Sequence, residues 1–209
     1  MTIRGRAGVL LVVVMTLAGL VAACSSGPPV ASNAVPPPAA NDARSVFVAL
    51  GGDETLNRGL DDSVRRAWTQ QIFGTELGPS AVYVNLATAN ATVREGLSDQ
   101  LPKAVELQPT LATVWFGDGD GQSHTTDAGF ISDLSEIVQK LQAGGTTKVL
   151  LLTRTDPGAG DSSRYANDIQ QVANATHADY LEIPGAARNP RDPATQQAIA
   201  DAVRARLGN

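Results

Sequence analysis

The sequence has few of the residues on which thiol and metal chemistry depend. It holds one cysteine, Cys24, and two histidines, His124 and His177. A single cysteine rules out an intrachain disulfide framework. No long basic run occurs beyond the first few residues, and the formal net charge is -5. That balance argues against nucleic acid as a partner. No internal repeat is visible, so a solenoid is not expected. What is present fits a globular class: 43% hydrophobic and 18% charged residues in a chain of 209, enough for one domain with a real core.

The first 23 residues do not read as part of that domain. Arg4 and Arg6 give a positive start, and Val9 to Ala23 is apolar and uncharged. This is the pattern of a secretory signal peptide. Its end, Val21-Ala22-Ala23-Cys24, resembles a bacterial lipobox. The resemblance implies cleavage before Cys24 and lipidation of Cys24 through a thioether and palmitate. The domain would then be tethered to the extracytoplasmic face of the cell membrane, with no thiol left for catalysis. The alternative is an ordinary signal peptide with an incidental cysteine. Residues 24–43, with Gly27, Pro28, Pro29, Pro36, Pro37 and Pro38, read as a flexible tether. The folded domain is expected at 44–209.

That domain alternates strands and helices. Val46-Phe47-Val48-Ala49-Leu50 is an unbroken apolar run, read as a buried parallel strand. Gly51-Gly52 allows a sharp turn into Asp53 and Glu54, and a helical pattern follows with Leu60, Val64, Ala67 and Trp68 inward. Strands are expected at 81–86, 111–116, 148–153 and 179–183. Helices are expected at 94–107 (Leu97, Leu101, Ala104 and Val105 inward), around Phe130 to Leu141, at 165–175 and at 195–207. The alternation predicts a parallel sheet covered on both faces, with the site beyond the carboxyl ends of the strands.

The order and spacing resemble the SGNH (GDSL-type) hydrolases from about Arg44 to Leu207. Val48 to Asp53 resembles the strand leading into the family's Gly-Asp-Ser block, with Ala67-Trp68 where a Trp often follows. Tyr83 to Val93 resembles the second block, and Gln100 to Gly117 the helix and strand before the third. Asn189-Pro190 with Ala198-Ile199-Ala200 resembles the last. The resemblance implies a three-layer α/β/α, flavodoxin-like fold and an esterase or lipase ancestry. It also implies where the catalytic residues should stand. The nucleophilic Ser falls on Glu54, the oxyanion-hole Gly on Asn90 and the oxyanion-hole Asn on Gly119. The Asp-x-x-His falls on Ala186-Ala187-Arg188-Asn189. Hydrolysis by the family's route needs an activated hydroxyl and a base. Neither is expected here.

Other chemistry has fewer candidates. Ser123, Thr55 or Thr88 paired with His124 would be a relocated hydroxyl and base, whereas His177 is expected at the amino ends of the strands. Asp53, Glu54, Asp118 and Asp120 could converge, with their repulsion raising pKa values or recruiting a divalent cation. Asp118-Gly119-Asp120-Gly121 resembles the opening of a calcium loop but lacks its later ligands. Glu54 with Asp118 or Asp120 is also the residue type of a glycosidase pair. The expected function is a membrane-anchored, non-catalytic module of the cell envelope. Its ligand cleft would be lined by Asp53, Glu54, Asn90, Asp118, Asp120 and His124. It would hold a glycan, an acyl chain or an envelope protein, without a cofactor. The alternative is a divergent esterase or metal-assisted hydrolase.

Overall fold

The computed structural model describes residues 44–57, 59–154, 164–183, 189 and 191–208. The signal segment, Cys24 and the tether therefore lie outside the described residues, as do Arg58, Ala186, Ala187 and Arg188. Among the described residues no helix is long and apolar enough to cross a membrane. Residues from Ala40 to Asn209 form one compact unit.

Five strands make one sheet in the order β2-β1-β3-β4-β5: β1 (Val46–Gly51), β2 (Val82–Asn85), β3 (Leu111–Trp115), β4 (Lys148–Arg154) and β5 (Asp179–Ile183). All pairings are parallel, with Phe47 opposite both Tyr83 and Leu111. Successive residues point to opposite faces, and both faces are buried. Val48, Leu50, Val149 and Leu151 enter one apolar cluster, while Phe47, Ala49, Leu150 and Leu152 enter the other. Burial on both sides is why these strands read as continuous apolar runs rather than alternating ones.

Helices α7 (Asp127–Gln142) and α8 (Ala166–Thr176) cover the first face. Phe130, Leu134, Ile137, Val138 and Leu141, at helical spacing along α7, are all buried, and Phe130 stacks on Tyr165 with ring centroids 4.2 Å apart. Helices α3 (Trp68–Glu76) and α9 (Pro193–Leu207) cover the second, where Trp68, Ile72, Ile199 and Val203 pack. This is the three-layer α/β/α arrangement expected from the alternation. His177 caps α8 in a left-handed conformation, exposed at the amino end of β5.

Two helical expectations need correction. The pattern after β1 is broken into α1 (Asp53–Leu56), α2 (Ser63–Arg66) and α3. Asn57 and Asp62 take positive φ and Ala67 is extended, so the helical phase is reset twice. Val64 is therefore 73% exposed, although Leu60, Ala67 and Trp68 are buried as expected. The expected 94–107 helix is α4 (Val93–Glu95), a π-turn (Gly96–Gln100) and α5 (Leu101–Glu106). The extra residue in the π-turn shifts the phase downstream. Leu101 and Ala104 stay buried, but Val105 turns outward at 43% exposure.

Candidate functional site

In the order 2-1-3-4-5 the strand order reverses between β1 and β3, which opens a crevice at their carboxyl ends. The turn after β1 is tightly fixed there. Gly51 takes φ 150, and a Cβ on it would stand 2.3 Å from the carbonyl oxygen of Trp115, so no side chain fits. The buried Gln100 amide clamps the same residue: its oxygen accepts from Gly51 N–H at 2.9 Å and its nitrogen donates to Gly51 C=O at 3.1 Å. The π-turn ends on Gln100, so this irregular segment supplies the clamp. From the other side, the Trp68 indole N–H donates to the carbonyl of Glu54 at 3.0 Å. The backbone carrying Glu54 is thus held from both faces of the sheet.

The side chain of Glu54 is buried, with the residue 6% exposed. Its Oε1 lies 3.5 Å from Nη2 of Arg154, the last residue of β4. The same nitrogen is 3.8 Å from Oδ2 of Asp118, the first residue of α6 (Asp118–Gln122). One guanidinium therefore stands between carboxylates from the ends of β1 and β3. Arg154 was not among the residues singled out from sequence. Its signal was present: a charged residue directly after the most apolar strand, at its carboxyl end.

The remaining two acids do different work. Asp53 Oδ2 accepts from the N–H of Asn90 at 3.2 Å. Asp120 is fully buried and both its oxygens accept from the N–H of Val93, at 3.1 and 3.0 Å. The two carboxylates therefore pin the β2–α4 loop from either side. Burial pushes the Asp120 carboxyl up to about 6; the bonds from Val93 and Thr125 restrain the rise, and the charge of Asp133 adds to it. The picture of four mutually repelling carboxylates is therefore corrected. Each has a protein partner, and among the described residues no three His, Cys, Asp or Glu side chains converge as a metal site. The calcium-loop resemblance fails for the same reason: Asp118 to Gln122 is a short helix, with Asp118 on Arg154 and Asp120 on Val93. For the glycosidase pair, both oxygens of Asp120 are taken by the N–H of Val93, while Glu54 and Asp118 share the guanidinium of Arg154.

Asn90 and Gly119, the positions expected to meet at an oxyanion hole, do lie together. A Cβ on Gly119 would stand 2.3 Å from the carbonyl oxygen of Asn90 and 2.5 Å from that of Ala91. The backbones are in direct contact, and no side chain fits at 119. Asn90 has φ 54, a left-handed conformation that Asn tolerates better than most residues. Its N–H, aimed at Asp53, is already taken. Asn189 lies in the turn before α9, where its Oδ1 accepts from Arg191 N–H at 3.0 Å and its carbonyl from Asp192 N–H at 2.9 Å.

His124 is exposed after α6, and among the described residues no hydroxyl bonds to its ring. Thr88 Oγ1 instead accepts from Gln100 at 3.3 Å, and Thr55 is fully buried. The relocated hydroxyl–His124 pair is not formed.

Comparison with known proteins agrees with this geometry. Among solved structures, TesA superposes with a TM-score of 0.64 at 22% identity, over 78% of this chain and 98% of its own. Axe2, an acetylxylan esterase from Geobacillus stearothermophilus, gives 0.63 at 15% identity, over 79% and 94%. The psychrotrophic esterase EstA from Pseudoalteromonas sp. gives 0.62 at 16%, over 79% and 100%. At these identities the likeness shows the fold. A search of curated proteins by sequence found no match. The sequence profile of the GDSL-like Lipase/Acylhydrolase family matches residues 48–203, from the third residue of β1 to the last turns of α9. The chain, with its crevice between β1 and β3, belongs to the GDSL-like lipase/acylhydrolase family.

Proposed function

We propose that this protein is a non-catalytic member of its family, a lipid-anchored binding module on the outer side of the bacterial cell membrane. The observation that carries the reading is the Glu54–Arg154 contact of 3.5 Å. At the position where the family places its nucleophile, a buried carboxylate is engaged by a guanidinium. A carboxylate there repels the oxyanion that develops in ester hydrolysis. Losing a single oxyanion donor already costs about 10²–10³ in rate. Here the N–H of Asn90 is held by Asp53, and Gly119 has no side chain to offer. The general-base position falls on Asn189, an amide that cannot take a proton.

The anchoring half of the reading rests on Val21-Ala22-Ala23-Cys24 and the proline-rich stretch behind it. Ligands of this crevice would be envelope glycans, acyl chains or a partner protein. The family setting favours the first two, since Axe2 is an esterase of acetylated xylan or xylo-oligosaccharide. Soluble Ser25–Asn209 is expected to hydrolyse short p-nitrophenyl esters no faster than buffer. Robust turnover that one substitution in the crevice removes would overturn the non-catalytic reading. Cys24→Ser is expected to move the full chain from the membrane to the soluble fraction and to abolish palmitate labelling.

A second reading, a divergent esterase built on residues outside the family pattern, is favoured by one observation: Axe2 and EstA, which share the fold, are both esterases. The same turnover assay separates the two.

A further inference from the structure

The amino ends of the strands form a surface that the crevice does not use. Arg44, the first described residue, is exposed there and leads into β1, where the Val46 N–H donates to Thr110 Oγ1 at 3.0 Å. Residues 24–43 therefore join the domain at the end of the sheet opposite the crevice. The loops at this end carry no carboxylate. Residues 77–81, 107–110, 143–147 and 177–178, which lead into β2 to β5, contain no Asp or Glu, in a chain that has 21. The turns at the other end hold Asp53, Glu54, Asp118 and Asp120.

Cations stand around these loops. Lys103 and Lys140 lie in the last turns of α5 and α7, and Lys148 opens β4; all three are exposed. The acids nearest them are mostly neutralised. Lys140 reaches Glu136 at 2.8 Å, Arg204 reaches Glu76 at 2.7 Å, and Lys148 and Arg206 reach Asp179 at 3.5 and 2.6 Å. Between the ends of α5 and α7 lies a groove of about 400 Å³, walled by Val105, Pro109 and Leu141 with Lys140 beside them. Val105 is one of two large apolar side chains exposed among the described residues. On the same groove, the loop Ala143 to Thr146 is exposed and uncharged, and a Cβ on Gly144 would meet nothing within 4 Å. An apolar recess with a positive rim matches a bilayer interface, whose phosphates attract Lys and Arg within about a Debye length.

We propose that the amino end of the sheet docks on an anionic phospholipid surface, so that the crevice faces away from the membrane. The inference rests on the lipid-anchored reading and adds a contact surface and an orientation to it. Read as a flexible chain, residues 24–43 would span about 25 Å. That length holds the domain beside the lipid at an effective concentration on the order of millimolar, so a weak attraction per charge is enough. The acidic turns at the carboxyl ends are repelled by the same lipid, which sets the direction of docking. The crevice is then open to ligands of the envelope rather than to the bilayer that carries the anchor.

The test couples the chain Cys24–Asn209 through its only thiol to a maleimide lipid. The anchor is then present whether or not a cell lipidates Cys24, so failure here is distinct from failure of the anchoring reading, which the Cys24→Ser fractionation tests. Hydrogen exchange is followed on vesicles of phosphatidylcholine alone and on vesicles with about one third phosphatidylglycerol. Slower exchange at 107–110 and 143–148 is expected on the anionic vesicles only, and about 0.5 M salt should abolish it. Lys140→Gln removes a rim cation, and Gly144→Glu places an acid in open space. Each is expected to lower the protection about fivefold, while unchanged exchange in the strands shows that the fold is intact. Equal protection on both vesicle types, no protection on either, variants that match the parent, or protection of the turns at 53–54 and 118–122 instead would each overturn the inference.

Discussion

Oε1 of Glu54 and Nη2 of Arg154 stand 3.5 Å apart, joining the carboxyl ends of β1 and β4 across β3. Both side chains are about nine-tenths buried. A charge in such a place is tolerable only with its partner. The pair therefore acts as a strut across the carboxyl ends of the strands. Asp118 completes it from the end of β3.

Removing one member should show this. Arg154→Met leaves Glu54 buried without its counter-charge and is expected to destabilise the fold by about 3 kcal/mol. Adding Glu54→Gln should restore part of the loss, because a neutral amide tolerates burial better than an uncompensated carboxylate. Urea unfolding of both single variants and the double variant measures the coupling. Strict additivity would mean that the two side chains do not interact.

β1, β3 and β4 were legible in the sequence because each is apolar on both faces, and α7 because a long uninterrupted helix keeps its phase from Phe130 to Leu141. The region after β1 was not legible in the same way. Its phase depends on Asn57 and Asp62 adopting positive φ, which polar residues do without leaving a pattern. The site divided along similar lines. That Asp53 and Glu54 lie at the turn followed from the strand and its glycines. What each carboxylate bonds to did not, because the partners Asn90, Arg154 and Val93 are 37, 100 and, for Asp120, 27 positions distant. Such pairings are set by the sheet order.

Asp120 gives the fold a particular pH response. Its carboxyl titrates near 6 in the folded protein, above the ordinary aspartate value of 3.8. Between those values the unfolded chain has released the proton and the folded one still holds it. Stability from this residue is therefore fully present below about pH 4 and is lost as pH rises through about 6. Two pH units correspond to roughly 3 kcal/mol. Asp120→Asn, which keeps an acceptor for Val93, should remove this dependence. The difference in unfolding free energy between the variant and the parent should move in the variant's favour by about that amount from pH 4 to pH 7. Parallel profiles would show that burial does not raise this carboxyl.

Gly119 sets a limit on rebuilding the family's oxyanion hole. A Cβ there meets the carbonyl oxygens of Asn90 and Ala91 at 2.3 and 2.5 Å. Both are backbone atoms in a loop that Asp53 and Asp120 hold in place, so they cannot swing aside as a flexible side chain would. Gly119→Ala is expected to cost about 3 kcal/mol, and Gly119→Asn more. Thermal melting should show both variants well below the parent. A Gly119→Asn protein as stable as the parent would mean that the loop moves freely.

Glu54→Ser puts a hydroxyl where the family has its nucleophile, and turnover of p-nitrophenyl acetate is still expected at background. A serine hydroxyl is a weak nucleophile until a base within hydrogen-bond reach takes its proton. The ring of His124 bonds to no hydroxyl among the described residues, and Asn189 spends its side-chain oxygen on the N–H of Arg191. The substitution also removes one of the carboxylates described beside Arg154, and a cation beside the new hydroxyl supplies no base. A double variant, Glu54→Ser with Asn189→His, asks the next question, since it adds an imidazole at the position where the family has its base. If the double variant turns over ester and the single one does not, the missing base is the dominant deficit. If neither does, the engaged N–H of Asn90 and the missing side chain at Gly119 limit the reaction. Measurable turnover by Glu54→Ser alone would place an unrecognised base beside residue 54 and revive the esterase reading.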